Sequence, residues 1–175
     1  THISKTGGLI AFDTGPGMCL LDDYVRLNSN NQFDLNGNFS KRGKIDYRIL
    51  KNNMSDVFFR KDYPKSLDRN YFSIKNYKNL NFYDACATIS MFTVLSIYEG
   101  IKKTEIDCDL IYLLGGGSRN QFISSKLSNL LSRKIRFINE FSLSDNYIES
   151  QAFAYLGIRS IKRLPISYPK TTGVK

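Results

Sequence analysis

An α/β domain, a mixed sheet flanked by helices, is the fold class this sequence predicts, and three observations predict it. Short apolar runs at 9–12 and 109–114 each end in a glycine-rich loop. Apolar residues Phe82, Ala85, Cys86, Ile89, Phe92 and Leu95 recur at helical spacing. The second half then reads helix, strand, glycine loop, helix, strand, helix, which is the alternation of an α/β unit. In such folds ligands gather at the carboxyl ends of the strands.

Taken in order, Leu9-Ile10-Ala11-Phe12 reads as a buried strand that opens into Asp13-Thr14-Gly15-Pro16-Gly17, where Gly and Pro force a loop. A helix is expected over 18–27. The polar stretch 28–43, rich in Asn, Ser and Gly, reads as a long loop or small excursion. Weak helical spacing covers 46–59, and Tyr63-Pro64-Lys65-Ser66 breaks it. The 82–101 segment predicts a long amphipathic helix. A strand at 109–114 runs into Gly115-Gly116-Gly117-Ser118-Arg119-Asn120, followed by a helix with Ile123, Leu127, Leu130 and Leu131 on one face. A short strand at 135–138 comes next. Asp145 is placed to cap a last helix over 146–163, with Ile148, Ala152, Tyr155 and Leu156 turned inward, and Pro165 ends it.

The chain has 175 residues, 42% hydrophobic and 13% aromatic, enough to bury a core without staples. Net charge is +9, from 25 Lys/Arg against 16 Asp/Glu. The cations are scattered, so a nucleic-acid partner is not expected; the nearest cluster, Arg159, Lys162 and Arg163, sits where a helix end favours cations anyway. Three cysteines (Cys19, Cys86 and Cys108) and a single His2 match no metal or disulfide pattern. Reduced thiols, a cytoplasmic setting and no metal site in the chain are the expectations. No apolar run approaches a membrane span. Most of the 11 Tyr and 12 Phe fall on apolar helix faces and read as core rather than as base-stacking platforms.

Three places can carry chemistry. Asp13 stands at a strand end beside glycines that let a ligand approach the backbone. A carboxylate there can serve as a general base, can bind a metal ion beside phosphates, or can simply bond its own turn. The 115–120 loop removes the side chains that would block close backbone approach ahead of a helix N-terminus, which suits a nucleotide phosphate; it also suits a plain turn, and it is neither a Walker A loop nor a dinucleotide fingerprint. Glu149, in the first turn of the last helix, either complements the helix dipole or accepts hydrogen bonds from sugar hydroxyls. Cys19, beside the Asp13 loop, has no histidine placed to activate it and reads as a small hydrophobe.

Five blocks in this order carry a resemblance: Ala11-Phe12-Asp13-Thr14-Gly15-Pro16-Gly17; Pro64-Lys65-Ser66 with Arg69 and Phe72; Asp84-Ala85-Cys86-Ala87-Thr88; Gly115-Gly116-Gly117-Ser118-Arg119-Asn120; and Glu149-Ser150-Gln151-Ala152-Phe153-Ala154-Tyr155-Leu156. Together they resemble the anhydro-N-acetylmuramic acid kinase family over nearly the whole chain. The resemblance implies an actin-like, ribonuclease-H-like ATPase domain and a kinase of cell-wall recycling. That kinase uses ATP, Mg²⁺ and water to open 1,6-anhydro-N-acetylmuramic acid and phosphorylate it at O6. It implies Asp13 as the general base; Glu149, Thr14 and Gly15 as sugar-binding residues; Gly115, Gly116, Gly117 and Asn120 as nucleotide-binding residues; and a homodimer. Residues 1–20 would be the end of an N-terminal kinase domain with its catalytic Asp loop, and 21–175 the C-terminal domain.

The chain departs from the family pattern in three ways. Met18 stands where the family usually has Asn, and Leu67-Asp68 where it usually has Thr-Gly. The family's N-terminal phosphate loop is absent, so the chain is expected to be the C-terminal half and inactive alone. A non-catalytic nucleotide-binding module of the same fold is the alternative, and intact Asp13 and Glu149 argue against it.

Overall fold

A computed structural model describes residues 1–4, 7–104, 109–141 and 147–171. The fold is built around one helix. The helices are α1 (Cys19–Asn28), α2 (Tyr47–Met54), α3 (Val57–Arg60), α4 (Phe82–Lys103), α5 (Gln121–Leu131) and α6 (Ile148–Ile161), with short 3-10 turns between several of them. Among the described residues, four short strands accompany these helices: β1 (His2–Ile3), β2 (Leu9–Ile10), β3 (Ile111–Leu113) and β4 (Ile135–Phe137).

α4 starts where Asn81 accepts the Asp84 N–H at 3.0 Å, and ends on Lys102 and Lys103, which suit its dipole. It is buried nearly all round, with Ala85, Cys86, Ala87, Ile89, Phe92 and Val94 fully inaccessible, and α1, α2 and α5 pack around it. The one-sided amphipathic helix read from the sequence is thereby corrected. Its hydroxyls imitate a polar face, yet they are satisfied inside. Thr88 donates to the Asp84 carbonyl at 2.7 Å and Ser96 to that of Phe92 at 2.8 Å, while Ser90 meets Ser40 at 2.7 Å. Against α4 lies an aromatic group of Phe58, Phe59, Phe72 and Phe92, with Phe72 and Phe92 centroids 4.9 Å apart. These rings pack the core, as expected.

The 28–43 stretch is more anchored than a polar excursion. Asp34 is buried and accepts from the Phe39 N–H (2.7 Å), the Ser40 N–H (3.0 Å) and the Ser40 hydroxyl (2.6 Å), which ties this segment to α4 through Ser40. The weak helix read at 46–59 is two helices, because two aspartates each cap one. Asp46 accepts from the Arg48 and Ile49 N–H groups, and Asp56 from that of Phe58.

Among the described residues the expected single mixed sheet is two separate ladders. β1 and β2 pair antiparallel, with His2 opposite Ile10; β3 and β4 pair parallel, with Tyr112 opposite Arg136. β3, α5 and β4 form the strand–helix–strand unit the sequence predicted. The run at 9–12 forms a ladder only at its first two residues, because the backbone beyond turns to other partners. The Ala11 N–H donates to the Lys170 carbonyl and the Asp13 N–H to that of Lys65, both at 3.0 Å.

α6 corrects the last helix prediction. No residue in it is buried, and Phe153, Tyr155, Ile158 and Ile161 are exposed, so Tyr155 and Ala152 do not turn inward. Only Ile148 and Leu156, of the four expected core residues, are half-buried. Its composition, apolar on every side, could not specify one inward face. Asp145, its expected cap, lies outside the described residues, as does Cys108.

Candidate functional site

Two loops far apart in sequence meet where Met18 reaches Gly117, and the first of them lies along α4. The 13–18 loop leaves β2 and runs along one stripe of that helix. Thr93 donates its hydroxyl to the Gly17 carbonyl at 2.7 Å, Gly15 lies hard against the Ser96 side chain, and Thr14 lies against Gly100. Positions 93, 96 and 100 share a helix face, and each is small enough to admit backbone. A side chain at position 15 would collide with Ser96, which explains that glycine by packing.

Asp13 itself is exposed, and its two ends are held differently. Its N–H donates to the Lys65 carbonyl, and its Oδ2 accepts the Leu67 N–H at 2.8 Å. Phe12 stacks on Tyr63 with centroids 5.2 Å apart, which extends the same seam. One carboxylate oxygen is therefore spoken for by a main-chain donor, while Oδ1 has no partner in the described protein. Chemically, such a group is an oriented hydrogen-bond acceptor. The Leu67 donor was not singled out from the sequence. Main-chain N–H groups carry no residue signature; the trace was the Pro64-Lys65-Ser66 block and the departure at Leu67-Asp68 beside it.

The 115–120 loop leaves the carboxyl end of β3 and folds as a 3-10 turn at Gly116–Arg119 before α5. Gly115 has φ +80°, a left-handed conformation that favours glycine, and open space surrounds Gly115 and Gly116. Gly117 differs: a Cβ there would lie 2.8 Å from Met18 Cγ. The three glycines thus divide into two that expose backbone and one that receives the Met18 side chain, which joins this loop to the Asp13 loop. Asn120 caps α5, accepting the Ile123 N–H at 3.1 Å. It is 2% exposed, and its Nδ2 is buried without a partner.

Glu149 stands apart. It is exposed in the first turn of α6, and no hydrogen bond or ion pair among the described residues joins it to either loop. Cys19 donates its thiol to the Pro16 carbonyl at 2.9 Å, in keeping with its reading as a structural residue. Asp22, one turn into α1, is unusual. Burial pushes its carboxyl up to about 6 despite the opposing charge of Arg26, and its Oδ1 is buried without a partner. Among the described residues no group of three or more His, Cys, Asp or Glu is placed to hold a metal ion.

A family model described as anhydro-N-acetylmuramic acid kinase matches residues 2–175. The chain belongs to the anhydro-N-acetylmuramic acid kinase family. It is similar to the anhydro-N-acetylmuramic acid kinase of Methylorubrum populi, 33% identical over 99% of this chain and 46% of the relative. The kinases of Zymomonas mobilis (36% identical, 95% of this chain, 46% of the relative) and Rhodopseudomonas palustris (36%, 99% and 48%) are similar too. The chain spans about half the length of the curated relatives it matches. Of the blocks that resemble the family, the Asp13 loop meets both the Pro64-Lys65-Ser66 segment, through Lys65, and the glycine loop, through Met18 and Gly117.

Proposed function

We propose that the whole protein carrying this chain is an ATP-dependent kinase that opens 1,6-anhydro-N-acetylmuramic acid with water and phosphorylates it to N-acetylmuramic acid 6-phosphate. The observation that carries this reading is the clamped Asp13. With Oδ2 held by the Leu67 N–H, Oδ1 is free to accept a proton from a water attacking the anomeric carbon. The C1–O6 bond breaks, and the released O6 takes the γ-phosphoryl group of ATP.

Gly115 and Gly116 offer bare backbone at the start of α5 for a nucleotide phosphate, and Gly117 and Asn120 hold that loop in shape. Thr14 and Gly15 reach the sugar through the loop that carries Asp13, and Glu149 accepts from sugar hydroxyls. Mg²⁺ would enter with the triphosphate, since it commonly needs only one or two protein carboxylates beside phosphate oxygens and the described residues hold no carboxylate cluster for it. Its chemistry is charge neutralisation at the transferring phosphoryl group.

We further read the fold as one half of an actin-like, ribonuclease-H-like ATPase. Residues 1–20 are the end of the first domain with the catalytic loop, and 21–175 are the second. The parallel β3–α5–β4 unit supports this. A homodimer in the cytoplasm is part of the same reading. No helix among the described residues is long and apolar enough to cross a membrane.

The test is product analysis with the full-length protein in ¹⁸O-water. The account expects one ¹⁸O at C1 of a 6-phosphorylated product and one ADP per sugar. ADP release without sugar phosphate, or label in the phosphate instead of at C1, would exclude it.

A further inference from the structure

Next to the Asp13 loop lies a cavity of about 350 Å³, most of whose lining the mechanism above does not use. Thr14 opens onto it from that loop, and Arg60, Lys65 and Lys103 bring three cations against one carboxylate, Glu99. Met54, Phe59 and Leu95 supply an apolar floor.

The cations are differently engaged. Lys65 is half-buried; its Nζ donates to the Phe58 carbonyl at 3.0 Å and lies 4.2 Å above the Phe58 ring. Burial, and then the charge of Lys103, pull its pKa down, and a negative charge beside it would offset the second of these causes. Lys103 donates to the Lys61 carbonyl at 2.7 Å and reaches Asp62 only at 3.9 Å. Neither Arg60 nor Glu99 has an ion-pair partner among the described residues. A volume at the low end of ligand pockets, cationic on one side and apolar on the other, fits a small amphipathic anion. Inorganic phosphate would leave the apolar floor uncovered. The cavity also shares Lys65 with the seam that holds Asp13, so an occupant touches the support of the reactive loop.

We propose that this cavity is a subsite for a small carboxylate on a short apolar stem, a lactate-like group, its carboxylate toward Lys65 and Arg60 and its stem against Met54, Phe59 and Leu95. Such a group has two sources: the lactyl ether arm of a muramic sugar, or a separate organic acid. The first source rests on the function proposed above; the subsite itself does not.

The experiment titrates sodium D-lactate, with neutral lactamide as control, into the full-length protein and its Arg60→Gln and Lys65→Gln variants, read by calorimetry. Lactate is expected to bind and lactamide not, with each variant weakening binding about tenfold or more. Arg60 is exposed, so its variant keeps the test open if Lys65→Gln fails to fold. A kinetic arm compares 1,6-anhydro-N-acetylmuramic acid with 1,6-anhydro-N-acetylglucosamine, which lacks the lactyl arm. If the arm is the occupant, Arg60→Gln raises KM for the muramic sugar alone and lactate competes with it. If a separate acid is the occupant, both sugars respond alike and lactate does not compete. Lactate that binds no better than lactamide, or equally well to wild type and both variants, overturns the proposal. Variant-sensitive lactate binding in a protein that turns over neither sugar supports the subsite and defeats the kinase reading alone.

Discussion

Gly117→Ala probes the contact that joins the two loops, and its cost follows from the structure. An added Cβ would stand 2.8 Å from Met18 Cγ and 3.2 Å from Sδ, inside the roughly 3.5–4 Å of an ordinary carbon contact. Position 117 is not left-handed, so backbone strain does not contribute. Methionine is flexible enough to yield by the fraction of an ångström required. The penalty should therefore fall at the low end of overpacking, about 1 kcal/mol. Met18→Ala removes the colliding atoms and costs about 1 kcal/mol in lost half-buried contact. In the double variant the clash is gone, so the two losses should fall short of additivity by about 1 kcal/mol. Gly116→Ala, where nothing lies within 4 Å, is the control and should stay within about 0.5 kcal/mol of wild type. Urea denaturation of wild type and the four variants measures each term. Equal stability of Gly117→Ala and Gly116→Ala, or strict additivity with Met18→Ala, would refute the loop-to-loop contact.

Three further outcomes are expected. Asp22 has a folded-state pKa of about 6, above its ordinary 3.8, so ionising it opposes folding: stability falls as pH rises between these values, and the penalty is complete above pH 6. Asp22→Asn should accordingly stabilise the protein by about 1 kcal/mol at pH 8, allowing for solvent screening, and by nothing at pH 3, as thermal melts at both pH values would show. Phe92→Ala empties a fully buried site on α4 and should cost about 3–5 kcal/mol, whereas Phe153→Ala on exposed α6 should cost under about 0.5 kcal/mol, both by chemical denaturation. Asn120→Ala loses the cap on α5 and should cost about 1–2 kcal/mol, by urea denaturation.

Local signals carried the fold as far as they reached. Spacing located α4, α5 and the strand–glycine–helix step, because each depends on neighbours in sequence. It misjudged α4 as one-sided, since Thr88, Ser90, Thr93 and Ser96 look polar until their hydroxyls find carbonyls and Ser40. It gave α6 an inward face that a helix apolar all round cannot define. The single sheet was overcalled because 11–13 bonds to Lys65 and Lys170, partners too distant for any local pattern.

For the site, residue types at a strand end and in a glycine loop named Asp13 and the 115–120 loop. They did not reveal that Gly117 serves Met18, that Gly15 serves Ser96, or that a main-chain N–H orients the carboxylate. Such roles belong to tertiary contact, not to residue identity.

The measurement that bears most directly on Asp13 as the water-activating base is turnover of the full-length Asp13→Asn variant, with ATP affinity followed in parallel. Asn keeps the shape and an oxygen to accept the Leu67 N–H, but it cannot take a proton. The account predicts kcat reduced about 10²–10⁴-fold with ATP binding unchanged. Turnover within twofold of wild type would contradict it.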